Sequence, residues 1–240
     1  MEVNNGDYIS LIGPNGSGKS TLIKLLSNDL KPSLGSIYFK SQNISNWNVM
    51  EIAKYRAILP QSNMLNFAFT VLDIIKMGRY PFKGTCTNFQ NEMVCMKLIE
   101  IFDLENHIHQ NYMTLSGGEK QRVQLARVFS QIWDEEKDYE NKILILDEPT
   151  SALDIKHQIM LIELLKNINK NGLTIIIVLH DLNQAIMNAN KLLVLNEGKI
   201  AAFGGVENIV ESKMLDKVFG INIDILESNE VQNKLLIYNN

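Results

Sequence analysis

The first apolar run of the chain, "YISLI" (Tyr8–Ile12), stops at a Gly-rich turn, and "KSTLIKLLSNDL" shortly after it spaces its apolar residues as a helix does. That succession predicts strand, loop, helix. Three later runs, "KILILD" (Lys142–Asp147), "LTIIIVLH" (Leu173–His180) and "KLLVLNEG" (Lys191–Gly198), are continuous rather than alternating. Rich in β-branched residues or Leu, they predict strands buried on both faces. Helical patterns such as "DIKHQIMLIELLKNINKNG" separate them, with Gly172 at the expected C-terminal stop. Alternation of this kind predicts an α/β fold, a parallel sheet covered by helices.

Between Gln61 and Ser116 the pattern changes: "TVLDIIKMGRY" and "NFQNEMVCMKLIEIFDL" are helical, with no comparable strand between them. A helical subdomain inserted into the core is expected there. The tail, "KVFGINIDILESNEVQNKLLIYNN", alternates weakly and predicts a small β extension.

Length and charge narrow the classes. At 240 residues the chain is long enough to bury a full core. Its net charge of −4 gives no basic footprint, so nucleic acid is not an expected partner. The longest apolar runs are strand-sized, far below the roughly 20 residues of a membrane-spanning helix. Cys86 and Cys95 lack CxxC spacing or a nearby His and are expected to be free thiols.

Three stretches carry chemistry. Gly13-Pro14-Asn15-Gly16-Ser17-Gly18-Lys19-Ser20 fits the phosphate-binding loop, with a strand before it and a helix after it. Its glycines let backbone N–H groups surround phosphate oxygens, and the helix start adds its positive end. Lys19 is expected on the β- and γ-phosphates of a nucleotide, and the Ser20 hydroxyl on Mg²⁺. "ILILDEP" delivers Asp147 to the C-terminal end of a buried strand, where open α/β sheets place ligands. Asp147 is expected to hold Mg²⁺ through water, and Glu148 to polarise the water attacking the γ-phosphate. In "TLSGGEKQRVQLARVF" (Thr114–Phe129), Ser116 is placed to cap a helix whose first turn offers the amides of Gly117 and Gly118, a second phosphate-binding start. Among the histidines, His107, His109 and His157 lack supporting motifs, and "HIH" is expected to be a solvated surface pair.

With these motifs in this order, the chain from Gly6 to about Phe219 resembles the nucleotide-binding subunits of ATP-binding-cassette (ABC) transporters. Gly13–Thr21, with Thr21 closing it, matches the Walker A loop; Gln61 matches the Q-loop, and Leu115, Ser116, Gly117, Gly118 and Glu119 match the signature. Ile143–Asp147 with Glu148 matches Walker B and the catalytic glutamate. Ser151, Ala152, Leu153 and Asp154 match the D-loop, and His180 matches the switch histidine. The resemblance implies an ABC-type P-loop NTPase: a RecA-like core over 1–61 and 143–220, a helical subdomain over 62–142 and a β extension over 221–240. It implies ATP and Mg²⁺ as cofactors, with Gln61, Glu148 and His180 catalytic and Ser20, Gln61 and Asp147 around the metal. It also implies a head-to-tail homodimer in which each signature acts on its partner's ATP. A membrane permease is expected to dock near the apolar segment Phe67–Phe82, at the cytoplasmic face of the cell membrane, with a substrate-binding protein as an indirect partner.

Within that family, "TVLDIIKMGRYPF" is similar to importers of iron chelates, haem and cobalamin, and "LSNDLKPSLGSIYF" with "QLARVFSQIWDEEKDYENKILILDEPTSALDIKHQ" is most similar to haem (hemin) importers. Ferric-siderophore or cobalamin import is the alternative, and a non-transport ABC ATPase a remoter one. The acidic stretch Asp134–Asn141 is expected to be a solvated loop. Only "MEVNN" precedes Gly6, so the family's first strands are expected to be shortened, with Tyr8 in the core rather than stacked on adenine.

Overall fold

The computed structural model describes residues 1–61, 67–134, 138–227 and 234–239. The predicted start of the helical subdomain at 62, the middle of the acidic stretch (135–137) and part of the β extension (228–233) lie outside the described residues.

In chain order the elements are β1 (Tyr8–Ile12), α1 (Lys19–Ser27), β2 (Tyr38–Phe39), β3 (Gln42–Asn43), α2 (Val49–Ile52), β4 (Arg56–Leu59), α3 (Val71–Met77), α4 (Asn88–Ile101), α5 (Gly117–Ile132) and β5 (Ile143–Asp147). There follow α6 (Ile155–Lys170), β6 (Thr174–Val178), α7 (Leu182–Asn188), β7 (Lys191–Asn196), β8 (Lys199–Gly205), α8 (Val206–Glu211), α9 (Met214–Phe219), β9 (Asn222–Glu227) and β10 (Lys234–Asn239). One sheet runs β4-β5-β6-β1-β7-β8, with β1 flanked by β6 and β7. Its first five strands are mutually parallel, and β8 closes the edge antiparallel to β7.

The four expected strands are β1, β5, β6 and β7, and the absence of alternation in them has its reason in the packing. Ile9, Leu11, Ile145, Ile176, Val178 and Leu193 join one apolar cluster with Ile23 of α1. Tyr8, Ile12, Leu144, Leu146, Ile175, Ile177 and Leu192, at the intervening positions, join the cluster that continues into the helices. Successive side chains point to opposite faces, so burying both faces demands an apolar residue at nearly every position. The strands β4 and β8 lie at the sheet edges and are only partly buried, which left their pattern too weak to mark. Tyr8 is buried in the core, as expected.

The helices α3, α4 and α5 pack together, with the Phe102 and Phe129 rings 5.4 Å apart between them. Half of the apolar segment Phe67–Phe82 serves this packing: Val71, Ile74 and Ile75 are fully buried, and Phe67, Met77 and Tyr80 are exposed. At Gly78 the end of α3 touches α5 so closely that a Cβ would run into Ser130 Oγ and the Arg127 carbonyl. Ser130 Oγ itself donates to the Ile75 carbonyl at 2.9 Å, and Arg79 Nη1 donates to the Ser130 carbonyl at 2.6 Å. Gly78→Ala is therefore expected to destabilise the insert by the roughly 1–3 kcal/mol of an overpacked core. Thermal denaturation checks it, as a midpoint drop of about 2–4 °C per kcal/mol for a chain of this size; an unchanged midpoint contradicts it.

Two expectations are corrected. The stretch Asp134–Asn141 is not wholly a solvated loop, because Tyr139 is 1% exposed and burial pushes its phenol up to about 12. Lys142 Nζ lies 2.7 Å from Asp134 Oδ2, so the acidic start of the stretch is tied back to the core strand. The tail is not extended from Lys217: α9 runs to Phe219, and only then do β9 and β10 pair as an antiparallel hairpin, Asn222 opposite Asn239. Cys86 and Cys95 are free.

Candidate functional site

The loop from Gly13 to Gly18 leaves the C-terminal end of β1 and delivers α1 at Lys19. A Cβ on Gly13 would run into the Leu195 carbonyl of the neighbouring strand β7, so only glycine fits. Gly18 caps α1 at φ 102°, a left-handed conformation that other residues avoid. Lys19 is buried, and its Nζ donates to the carbonyls of Gly13 at 2.7 Å and Pro14 at 3.0 Å. Burial holds that ammonium below the ordinary lysine range, partly offset by the carboxylates of Glu148 and Asp147.

Asp147 ends β5, two strands from β1, and is 5% exposed. Burial raises its carboxyl, the neighbouring Glu148 charge raises it further, and Lys19 and His180 pull it back. Glu148 adopts φ 52°, the left-handed region that costs a non-glycine residue about 1–2 kcal/mol. The turn brings its carboxylate between two groups from other elements. Oε1 lies 2.7 Å from His180 Nε2, just past β6, and Oε2 accepts from Gln61 Nε2 at 3.1 Å, just past β4. Three parallel strand ends thus meet at one carboxylate. Ser20, Gln61 and Asp147 line a single cavity of about 620 Å³. A carboxylate beside a hydroxyl and an amide oxygen suits a hard cation shared with phosphate oxygens rather than a cation caged by protein alone.

The other predicted cluster stands apart: none of Leu115–Glu119 lines that cavity. Ser116 is the N-cap of α5 in a capping box, its N–H donating to Glu119 Oε2 at 2.8 Å and its Oγ accepting from the Glu119 N–H at 3.4 Å. Hydrogen bonding from Ser116 lowers the Glu119 carboxyl below its usual range. Ser116 and Gly117 are exposed, and first-turn amides such as those of Gly117 and Gly118 have no partner within the helix. Leu115 is buried and anchors the loop. His107 is not a free surface residue: Nε2 lies 3.5 Å from Glu119 Oε1 and Nδ1 lies 2.8 Å from Gln110 Oε1. The described residues hold no group of three His, Cys, Asp or Glu side chains placed for a metal.

The segment Ser151–Asp154 packs directly on the start of α5, where a Cβ on Gly118 would stand 3.1 Å from the Ala152 carbonyl. Ser151 Oγ donates to the Glu148 carbonyl at 3.0 Å, Leu153 is buried, and Asp154 caps α6. Three side chains that the sequence did not single out hold this segment. Gln121 Nε2 donates to the Pro149 carbonyl at 2.9 Å, and Gln158 Nε2 to those of Thr150 and Leu153 at 3.2 and 3.0 Å. His157 is the third, facing Asp154. All three are only partly buried polar residues on helices, which nothing in the local sequence marks, and their role shows only once the helices are packed.

The family model described as ABC transporter matches residues 1–151. The hemin import ATP-binding protein HmuV of Photobacterium profundum is 37% identical over 220 residues, 92% of this chain and 77% of that protein. The petrobactin import ATP-binding protein FpuC of Bacillus anthracis is 38% identical over 233 residues, 96% of this chain and 83% of that protein. The dimeric post-hydrolysis structure of the ATP-binding cassette MJ0796, bound to ADP and Pi, superposes with a TM-score of 0.74 at 25% identity, covering 86% of this chain and 88% of that one.

Proposed function

The chain belongs to the ABC transporter family, as an ATPase unit with its P-loop fold, and from that premise we propose that it couples ATP hydrolysis to haem import through a membrane permease. The observation that carries the catalytic reading is the Glu148 carboxylate, held in a left-handed turn between His180 and Gln61, beside Asp147 and within the field of Lys19. ATP supplies the phosphoanhydride. Lys19 exchanges its two carbonyl acceptors for β- and γ-phosphate oxygens, while the loop amides of Gly13–Thr21 surround them. Ser20, Asp147 and Gln61 hold Mg²⁺. Glu148 takes the proton of the attacking water, and His180, 2.7 Å away, keeps the carboxylate aimed and responds to the γ-phosphate.

In this reading Ser116 and the amides of Gly117 and Gly118 act on the ATP of a second copy, packed head to tail. The exposed start of α5, separate from the Glu148 cavity, supports that arrangement. Residues 1–61 and 143–220 form the nucleotide core, 62–142 the insert that meets the permease, and 221–240 an added β element. No helix among the described residues is long and apolar enough to cross a membrane; the importer relatives support a peripheral place at the cytoplasmic face, beside the permease. Exposed Phe67, Met77 and Tyr80 are the surface offered to the permease. A substrate-binding protein would complete the importer.

Haem is favoured by the hemin importer relative, and the equally similar petrobactin importer keeps a ferric chelate as the second reading. The test is ATPase stimulation in permease-containing vesicles by haem-loaded, ferric-petrobactin-loaded and cobalamin-loaded binding protein. Stimulation by haem alone is expected. Stimulation by ferric petrobactin or cobalamin but not haem overturns the cargo, and no hydrolysis under any condition overturns the ATPase reading of the site.

A further inference from the structure

Beyond Glu148, a run of contacts through His157 and the backbone at Asp103 leads from the Ser151–Asp154 segment to α5. Asp154 Oδ1 accepts the His157 backbone N–H at 2.9 Å and lies 2.8 Å from ring Nδ1. On the far side of the ring, Nε2 lies 3.4 Å from Asp103 Oδ2, long for a hydrogen bond and within ion-pair range. Asp103 stands just past α4 in a left-handed turn at φ 52°. Its carbonyl and that of Phe102 accept Arg122 Nη1 at 2.5 and 2.7 Å, and Arg122 is on α5, two turns from Ser116. Lys156 also reaches Asp103 Oδ2, at 2.6 Å, but its side chain is 75% exposed, whereas the His157 side chain is 12% exposed.

The chemistry of the ring sets its role. Each nitrogen faces a carboxylate oxygen, so both contacts attract only when each nitrogen carries a proton, and one ring then bridges two acids that otherwise repel. Hydrogen bonding from Lys156 first and then its charge hold Asp103 below the usual carboxylate range, with the charge and hydrogen bond of His157 adding less; the His157 N–H and ring lower Asp154 likewise. The bridge joins α6, which belongs to the sheet, to the loop and helix that carry Ser116. Gln121, donating to the Pro149 carbonyl, runs parallel to it.

We propose that His157 is a positioning residue for hydrolysis, coupling the segment after Glu148 to the helix that begins at Ser116, so that ATP held at Gly13–Thr21 is registered at the signature. The inference rests on the ATPase reading of the site. Members of one hydrogen-bond and ion-pair network are energetically coupled, so His157→Ala is expected to lower kcat about 5- to 10-fold. Asp103→Asn should do the same, and the double variant should be no worse than the poorer single variant. His157→Gln, able to donate to only one carboxylate, should restore part of the rate.

The readout that a merely structural role would not move is hydrogen exchange of the full chain, with and without Mg·ATP, in a Glu148→Gln background that removes turnover. ATP should protect the amides of 13–21 in both forms, and those of 116–120 in the His157-containing form alone. A structural loss would instead expose both segments alike and lower the thermal midpoint. Native kcat in His157→Ala and Asp103→Asn, strictly additive losses, or undiminished ATP protection at 116–120 overturns the proposal. No ATP protection at 13–21 in the His157-containing form overturns the ATPase reading instead.

Discussion

Glu148→Gln is expected to leave ATP affinity intact and to cut hydrolysis by about 10²–10⁴-fold, the usual contribution of a positioned general base. The amide keeps the size of the carboxylate and still offers His180 Nε2 an oxygen in place of Oε1, so the left-handed turn and the strand ends around it persist. It has no affinity for a proton, however, and the attacking water is left unactivated. Removing the charge also lessens the push on Asp147, whose carboxyl Glu148 raises, so the group proposed to hold Mg²⁺ is not weakened. Single-turnover hydrolysis and nucleotide titration separate the two effects, and size exclusion in ATP should show a trapped dimer. Turnover at the rate of the native chain contradicts the assignment.

Lys19→Ala is expected to fail one step earlier, at binding. The ammonium is buried, held at the loop by two carbonyls, and already kept below its ordinary range, so exchange onto phosphate oxygens is a favourable step. Hydrogen bonds to charged partners contribute roughly 1.5–3 kcal/mol each, and losing two should weaken ATP by at least about a hundredfold. Ser116→Arg should behave in the opposite way, binding ATP normally while abolishing hydrolysis, because Ser116 lies outside the cavity that Ser20, Gln61 and Asp147 line. Mixing the two variants then tests whether sites are shared between copies. Some mixed dimers regain one intact composite site, and partial activity is expected; mixed dimers as inactive as either parent contradict sharing with one sufficient site.

Much of this was written locally in the chain. The continuous apolar runs marked the four inner strands, because a strand covered on both faces has little room for polar residues in its middle, the exception being the small Ser10, while Asp147 and Thr174 stand at strand ends. The phosphate loop was legible because its requirements are local: glycines for backbone approach, a lysine and a hydroxyl at fixed spacing, a helix behind them. The capping box at Ser116 was legible for the same reason, being a pattern four residues long. Edge strands β4 and β8, helix α9 and the burial of Tyr139 were not, since each depends on what lies across from it rather than on its own neighbours.

By itself, then, the sequence determined the α/β class, the strand carrying each acidic or glycine-rich motif, and the residues proposed to touch phosphate. Tertiary structure decided which of them meet. Gln61, Glu148 and His180 are 87 and 32 positions apart along the chain, and become one cluster only because β4, β5 and β6 run parallel in adjacent places and end at the same edge. The link from Asp154 through His157 to Asp103 and Arg122 is of the same kind. No periodicity marks a histidine whose two nitrogens face acids from different elements, because hydrogen bonds and ion pairs act over a few ångströms in space and are indifferent to separation along the chain.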